Sequence, residues 1–373
     1  MFDIVIIGGN ISGSCAAINA AKNGIDVVLI ERNKEMFNPP HCGEGIADIT
    51  YDYLKFGEVG CKKNQINNFT INVSDIKEYK LKLKKHYIYI FDRNFAEKEL
   101  LKRAEKNGVE LILGKRMKNF NPPDEVILDR KKIKGKVIID ASGISCRVGQ
   151  KIGLCTKLKP EDVGVCIQSR VESNFPSDKV QLWYHKPYAP FGYAWVFPKD
   201  NNTANIGFGI PGGLKLDLEE LLNKYIKFVT NNDYKILHTF RSCVPSAHPL
   251  KKLVKNNVMI VGDAARLSNP ATGAGIHNAI FSGSLAGLIA SKYVRGEIPS
   301  LDEYQVIMQK KVTRLIKDYH NKTMLKTDED FIKGYKKAFS ILSILNKISP
   351  GIFQNYVAKM LKRDFDILDK YKR

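Results

Sequence analysis

The stretch from Phe2 to Arg32, FDIVIIGGNISGSCAAINAAKNGIDVVLIER, constrains the fold more than any other part of the chain. Asp3 to Ile7 reads as a short β-strand. Gly8, Gly9 and Gly13 form a tight turn. The small residues Ser14 to Ala21 read as a helix, Gly24 ends it, and Asp26 to Ile30 reads as a second strand closed by Glu31. Strand, glycine turn, small-residue helix, strand and acid in that order make a βαβ unit that binds a dinucleotide. Small side chains let the helix approach the sheet, and its free N–H groups and positive dipole face a pyrophosphate. Glu31 stands where it would bind an adenosine ribose and disfavours a 2′-phosphate, which leaves NAD and FAD both open. The pattern departs from G-x-G-x-x-G at one place: Asn10 occupies the middle glycine position.

The chain has 373 residues, enough for two or three domains with a large core. Its formal charge of +20 is unusual and calls for an acidic counterpart: an anionic membrane surface, an acidic protein or a polyanionic ligand. A generally lysine-rich composition is the plain alternative. No finger or RNP motif accompanies the scattered lysines, so nucleic acid is not expected. The seven cysteines include no C-x-x-C, which argues against a disulfide framework or an iron–sulfur site. The first strand starts at once, with no signal peptide before it, and no apolar run is long enough to span a bilayer. The expectation is a cytoplasmic protein, soluble or peripheral on the inner face of the cell membrane.

Beyond Glu31, NKEMFNPPHCGEGIADIT brackets His41, Cys42 and Glu44 with prolines and glycines and reads as an irregular segment on the ligand side of the sheet. Cys42 is a candidate for redox, acid or substrate-contact chemistry; the alternative is a small buried hydrophobe. Residues 66 to 91 read as strands. Asp92 or Asn94 caps a helix that runs to about Asn107 and stops at Gly108. Arg93 sits at that helix start, where the dipole disfavours a cation; it is read either as a ligand or carboxylate contact or as a plain surface arginine. Val137 to Ile139 is a strand ending in Asp140-Ala-Ser-Gly143. Further on, Tyr193, Trp195 and Phe197 alternate, which places them on one face of a strand, with Gly207 and Gly209 on the next. They pack against the core or wall an apolar pocket, and both can hold together. Gly262-Asp263 then ends another strand, and Gly273-Ala274-Gly275 opens a second small-residue helix, so the first domain is read as discontinuous. The tail from 301 is helical, either a cap on the core or a membrane-surface element.

These stretches together resemble the geranylgeranyl reductase family, within the p-hydroxybenzoate hydroxylase-like flavoproteins. The carriers are the glycine turn with Glu31; Arg93 with Leu100; Asp140-Ala-Ser-Gly143; Gly262-Asp263 with Asn269-Pro270-x-Thr272-Gly273-x-Gly275; and, more narrowly, Tyr193-Ala-Trp195-Val-Phe197-Pro198 followed by Gly207-Phe-Gly209. His41-Cys42-Gly43-Glu44-Gly45 resembles a cysteine loop of archaeal members. The resemblance implies an α/β plus β fold. A discontinuous Rossmann-like FAD-binding domain (1–60, 90–160 and 250–300) would hold an inserted antiparallel β-sheet substrate domain (61–89 and 161–249), followed by C-terminal helices (301–373).

FAD is the implied cofactor. Its implied contacts are Gly8, Gly9, Asn10, Gly13, Glu31, Arg32, Cys42, Gly43, Arg93, Asp140, Gly262, Asp263, Pro270, Gly273, Ala274, Gly275 and Ile276. Asp263 would hold the ribityl chain, and the segment from Pro270 to Ile276 would lie beside the isoalloxazine. Tyr193, Trp195 and Phe197 would wall an isoprenoid path for which Gly207 and Gly209 leave room. The implied reaction saturates double bonds of geranylgeranyl chains in an archaeal lipid precursor, most readily digeranylgeranylglycerophospholipid. The lysines would meet anionic headgroups or an acidic ferredoxin. The rival readings are a flavin monooxygenase or halogenase, and a non-catalytic membrane-associated redox carrier.

Overall fold

A computed structural model describes residues 1–36, 41–74, 77–83, 87–129, 131–184, 186–348 and 351–372; Pro39 and Pro40 of the proline–glycine segment lie outside this set. The first sheet is parallel at its centre. Strand Phe2–Ile7 pairs with Val27–Glu31 on one side and with Lys132–Asp140 on the other; Glu110–Leu113 and Val258–Ile260 extend the sheet outward. In Phe2–Ile7, Ile4 and Ile6 face the helices, while Val5 and Ile7 face the meander of Asn119–Asn121 and Glu125–Ile127. Burial on both faces explains why this strand and Val27–Glu31 read as unbroken apolar runs. The chain leaves Phe2–Ile7 toward one edge and returns on its other side, which makes a switch point at the carboxyl ends of Phe2–Ile7 and Lys132–Asp140. Gly8 lies there with φ +106°, and a Cβ on it would sit 2.3 Å from the Ala141 carbonyl oxygen.

The second sheet runs in the order 235–245, 163–172, 203–211, 193–198, 179–184, 68–73, 77–82. It is antiparallel except for one pair: Lys179–Tyr184 runs parallel to Asn68–Val73, the chain having passed through strands Glu110–Leu113 and Lys132–Asp140 of the first sheet between them. Helix Leu218–Thr230 covers one face through Leu222, Tyr225 and Ile226, packed on Ile167, Val196, Ile206 and Phe208. By the two-residue period, Gln168, Tyr193, Trp195 and Phe197 belong to the opposite face. A third sheet of Gly45–Ala47, Ile88–Phe91 and Lys63–Ile66 joins the two larger ones. Part of the segment read as irregular is therefore a strand.

Helix Arg93–Lys106 begins at Asp92, whose side chain accepts from the Phe95 N–H, as its sequence predicts. Three helices close the chain: Asp302–Thr323, Asp328–Ile348 and Ile352–Tyr371. The first buries Tyr304, Met308 and Val312 in the main core, joined by Phe365 and Leu368 of the last. The tail thus caps the core. Among the described residues no helix is long and apolar enough to cross a membrane.

Helix Ile276–Val294 crosses the glycine-turn helix Ile11–Ala21 at backbone contact. A Cβ on Gly283 would lie 2.1 Å from the Ser12 carbonyl oxygen, and one on Gly287 2.3 Å from that of Ala16. Glycine-to-alanine replacement inside a helix ordinarily stabilises by up to about 1 kcal/mol. At Gly283 the sign reverses: Gly283→Ala is expected to destabilise by about 1–3 kcal/mol through overpacking, read by urea unfolding.

Candidate active site

One cavity of about 710 Å³ connects the two large sheets. At one end stand Asn10, Ile11, Ser12, Ala141 and Gly143, beside Asp263 and the loop from Pro270 to Ile276. This end is rich in unused donors. The first intrahelical bond of Ile11–Ala21 is from Ser14 to Asn10, and that of Ile276–Val294 is from Ala279 to Gly275. The first-turn N–H groups of both helices therefore have no partner within their helix. The loop before the second helix is held by Asn269, whose Oδ1 accepts from the N–H groups of Ala271 and Thr272 at 2.9 and 3.1 Å. Asn10 has φ −71°, open to any residue, so its departure from glycine adds no strain. The strained positions, Gly8 and Gly273 at φ +69°, keep their glycines.

The remaining residues of the dinucleotide unit lie outside the cavity. Glu31 is buried, accepting from the Gly9 N–H at 2.8 Å and the Asn33 N–H at 2.8 Å. Arg32 is exposed next to it. Gly13 packs under Gly8, where a Cβ would meet the Gly8 carbonyl oxygen at 1.9 Å, and Gly262 packs against Ser12. Asp140 corrects an expectation of direct ligand contact. It is fully buried, and its carboxylate accepts from the N–H groups of Ser142, Val148 and Gly149 at 2.8–3.0 Å. With its oxygens so engaged, Asp140 shapes the Ala141–Gly143 turn from beneath and does not face the cavity.

The middle of the cavity is the Cys42 loop. The Cys42 Sγ accepts from the Glu44 N–H at 3.1 Å and lies against the Arg93 side chain. Burial works against the Arg93 charge, but Glu97 at 2.8 Å and Cys42 outweigh it and raise its pKa. The loop is fixed by Glu44, whose role no local sequence pattern reveals. Glu44 is buried in a left-handed conformation, φ +67°. Its carboxylate accepts from Arg170 Nη2 at 2.6 Å, Lys199 Nζ at 2.9 Å, Asn205 Nδ2 at 2.9 Å and the Arg93 N–H at 3.1 Å. A second tie is Gln168, whose Nε2 donates to the Cys42 carbonyl at 3.1 Å while its Oε1 accepts from Trp195 Nε1 at 2.8 Å.

The far end is the aromatic strand. Tyr193, Trp195 and Phe197 all line the cavity, in ring contact at 5.7 and 6.0 Å. Both readings of that strand hold, since Ala194 and Val196 pack into the core behind it. Burial raises the Tyr193 pKa, so its hydroxyl stays protonated and donates to the Thr272 carbonyl at 2.6 Å, joining the wall to the loop of the other end. The two glycines differ. Gly209 lines the cavity. Gly207 does not: it lies under the Trp195 indole, which a Cβ there would meet at 2.8 Å. The room that Gly207 leaves is filled by Trp195, not by a ligand.

Residues 162–244, the sheet that carries this wall, match the geranylgeranyl reductase catalytic domain. The chain is 31% identical over 332 residues to digeranylgeranylglycerophospholipid reductase 1 of Methanococcoides burtonii, covering 83% of this chain and 78% of that one. The chain belongs to the geranylgeranyl reductase family. Reductase 2 of the same organism is 29% identical over 88% of this chain and 86% of its own length. The fold is shared with a geranylgeranyl bacteriochlorophyll reductase-like protein of Thermoplasma acidophilum, with TM-score 0.81 and 24% identity over 97% of this chain and 99% of that one. It is shared more distantly with the flavin-dependent brominase Bmp2, with TM-score 0.69 and 18% identity over 96% of this chain and 93% of that one. In this family member the matched domain contributes the aromatic wall, Gln168 and three of the four Glu44 partners, Arg170, Lys199 and Asn205.

Two consequences follow for variants. Glu44→Ala leaves Arg170 and Lys199 without their carboxylate in a site where their side chains are 20% and 16% exposed. The expected cost is about 3–5 kcal/mol by urea unfolding; a loss under about 1 kcal/mol would show that the network is not a structural tie. Burial raises the Asp263 pKa above the ordinary carboxylate value, against an opposing pull from Arg93. The folded state therefore holds this proton more tightly than the unfolded one, and ionisation of Asp263 subtracts stability as pH rises through that window. Asp263→Asn is expected to raise the apoprotein Tm at pH 7, with the gain fading below the ordinary carboxylate pKa.

Proposed function

We propose that the chain binds FAD and reduces carbon–carbon double bonds of geranylgeranyl chains in an archaeal membrane-lipid precursor of the digeranylgeranylglycerophospholipid class. The observation that carries this reading is the single cavity in which a donor-rich end meets an aromatic wall. The residues fit the cofactor. First-turn N–H groups of two helices suit a pyrophosphate and a flavin carbonyl. The Asp263 carboxylate, with no hydrogen-bond partner among the described residues, suits ribityl hydroxyls. Glu31, beside the glycine turn, suits the adenosine ribose. The loop from Pro270 to Ile276 would lie against the isoalloxazine, and Tyr193, Trp195, Phe197 and Gly209 would line the isoprenoid path. Apolar lining is rewarded along that path, at about 0.8 kcal/mol per buried methylene.

Reduced FAD, when bound, supplies the hydride. The other requirements fall on the chain itself. An isolated alkene accepts hydride poorly, so the wall must hold one double bond in a narrow range of positions and keep water away. A proton must also reach the second alkene carbon. Cys42 lines the cavity between its two ends, and its loop is fixed by Glu44 and Gln168, so its thiol is the group we assign to hold that proton. The +20 charge suits attraction to an acidic ferredoxin as electron donor.

The test is anaerobic. The purified protein is loaded with FAD, reduced with dithionite and mixed with a digeranylgeranyl lipid in detergent. Product masses are expected to rise by about 2 Da for each bond saturated, as the flavin reoxidises. Unchanged lipid beside persistently reduced flavin, with reoxidation only on admitting oxygen, would contradict the reading. Cys42→Ala is expected to keep the flavin spectrum and to lower turnover by about 10²–10⁴-fold; a change of only a few-fold would leave Cys42 as a contact and not the acid.

A further inference from the structure

We infer that the C-terminal half of helix Asp328–Ile348 is a docking face for an anionic lipid bilayer. The first turns of this helix are inside the protein. Phe331 and Tyr335 line the cavity and pack on Tyr184 of the second sheet. Further along, the apolar residues turn outward. Ile341, Ile344, Leu345 and Ile348 are 50, 57, 43 and 77% exposed. Their i, i+3, i+4, i+7 spacing makes them one stripe on one side of the helix. Single exposed apolar residues need no explanation, whereas an exposed stripe of four does.

Charge selects the occupant. From Phe331 to Ile348 every charged residue is a lysine: 333, 336, 337 and 347. Lys337 stands one turn before Ile341 on the same side and Lys333 two turns before it, both exposed. An apolar stripe edged by lysines is the pattern of a helix lying in the plane of an anionic interface, where the lysine stems run along apolar surface and the ammonium groups reach the headgroups. A second copy of the chain would bring the same lysines against each other. No helix among the described residues is long and apolar enough to cross a bilayer, so the contact is superficial. Because the same helix lines the cavity one to three turns earlier, docking brings the bilayer close to the aromatic wall. Delivery of a lipid tail along this route rests on the proposed function; the docking does not.

The test uses the full chain loaded with FAD, sedimented with vesicles of phosphatidylglycerol or of phosphatidylcholine. Wild type is expected to sediment with phosphatidylglycerol, at least tenfold less with phosphatidylcholine, and less as salt is raised. The double variant Ile344→Glu/Ile348→Glu and, separately, Lys333→Glu/Lys337→Glu are each expected to lower phosphatidylglycerol binding at least tenfold, with Tm and detergent-phase turnover unchanged. Val306→Glu, at an equally exposed apolar position on the preceding helix, is expected to bind as wild type does. Equal binding to both vesicle types, unaltered binding by the stripe variants, or a wild-type dimer that the stripe variants dissociate would overturn the inference. Absent turnover in detergent with normal vesicle binding would instead count against the proposed reaction alone.

Discussion

The buried carboxylate of Glu44 is the constraint on which the site depends. A charge taken out of water is costly unless every lone pair is met. The donors that meet it come from two strands of the second sheet, from the turn after the aromatic strand and from the start of helix Arg93–Lys106. These elements meet at Glu44, and in this arrangement the Cys42 loop lies between the two ends of the cavity. A buried ion pair is weak grounds for net stability. Its effect in this chain is positional: it selects one placement of a glycine-rich loop and holds Glu44 itself in a left-handed conformation that costs about 1–2 kcal/mol.

The two ends of the cavity answer to different physics. One end offers backbone N–H groups and one under-solvated carboxylate, a set that is costly to leave empty and gains by meeting a polar ligand. The other end is a wall of three rings backed by a packed core. Tyr193 and Gln168 connect them by hydrogen bonds to backbone carbonyls, of Thr272 and of Cys42. Both bonds join groups that are neutral at ordinary pH, so their geometry persists across it. The alternative chemistries available to this fold differ in what must reach the reacting centre. A redox carrier has no use for an extended apolar wall beside the cysteine loop.

Much of this was readable from the sequence where the signal is local. The βαβ unit follows from glycine positions and an acid at a fixed distance, and the aromatic wall follows from a two-residue period. Two local readings went astray because a residue type does not reveal what fills the space around it. Gly207 looked like room for a ligand, yet the room holds Trp195, its partner on the neighbouring strand. Asp140 looked like a ligand-side acid, yet three N–H groups of the following turn and helix claim it. Glu44 stood in view within His41-Cys42-Gly43-Glu44-Gly45, but the side chains that give it a role lie 126 to 161 residues away in the chain. Only the pairing of distant strands brings them together. Asn10 is the converse case: an apparent defect in a motif whose backbone angles never required glycine.

The most direct test of the central claim, that one cavity serves both cofactor and isoprenoid chain, is a crystal structure of the protein with FAD and a digeranylgeranyl lipid bound. The account predicts the flavin ring against the loop from Pro270 to Ile276 and one isoprenoid chain along Tyr193, Trp195 and Phe197, with Cys42 Sγ facing a double bond. A flavin in that place with the lipid bound elsewhere on the protein would contradict it.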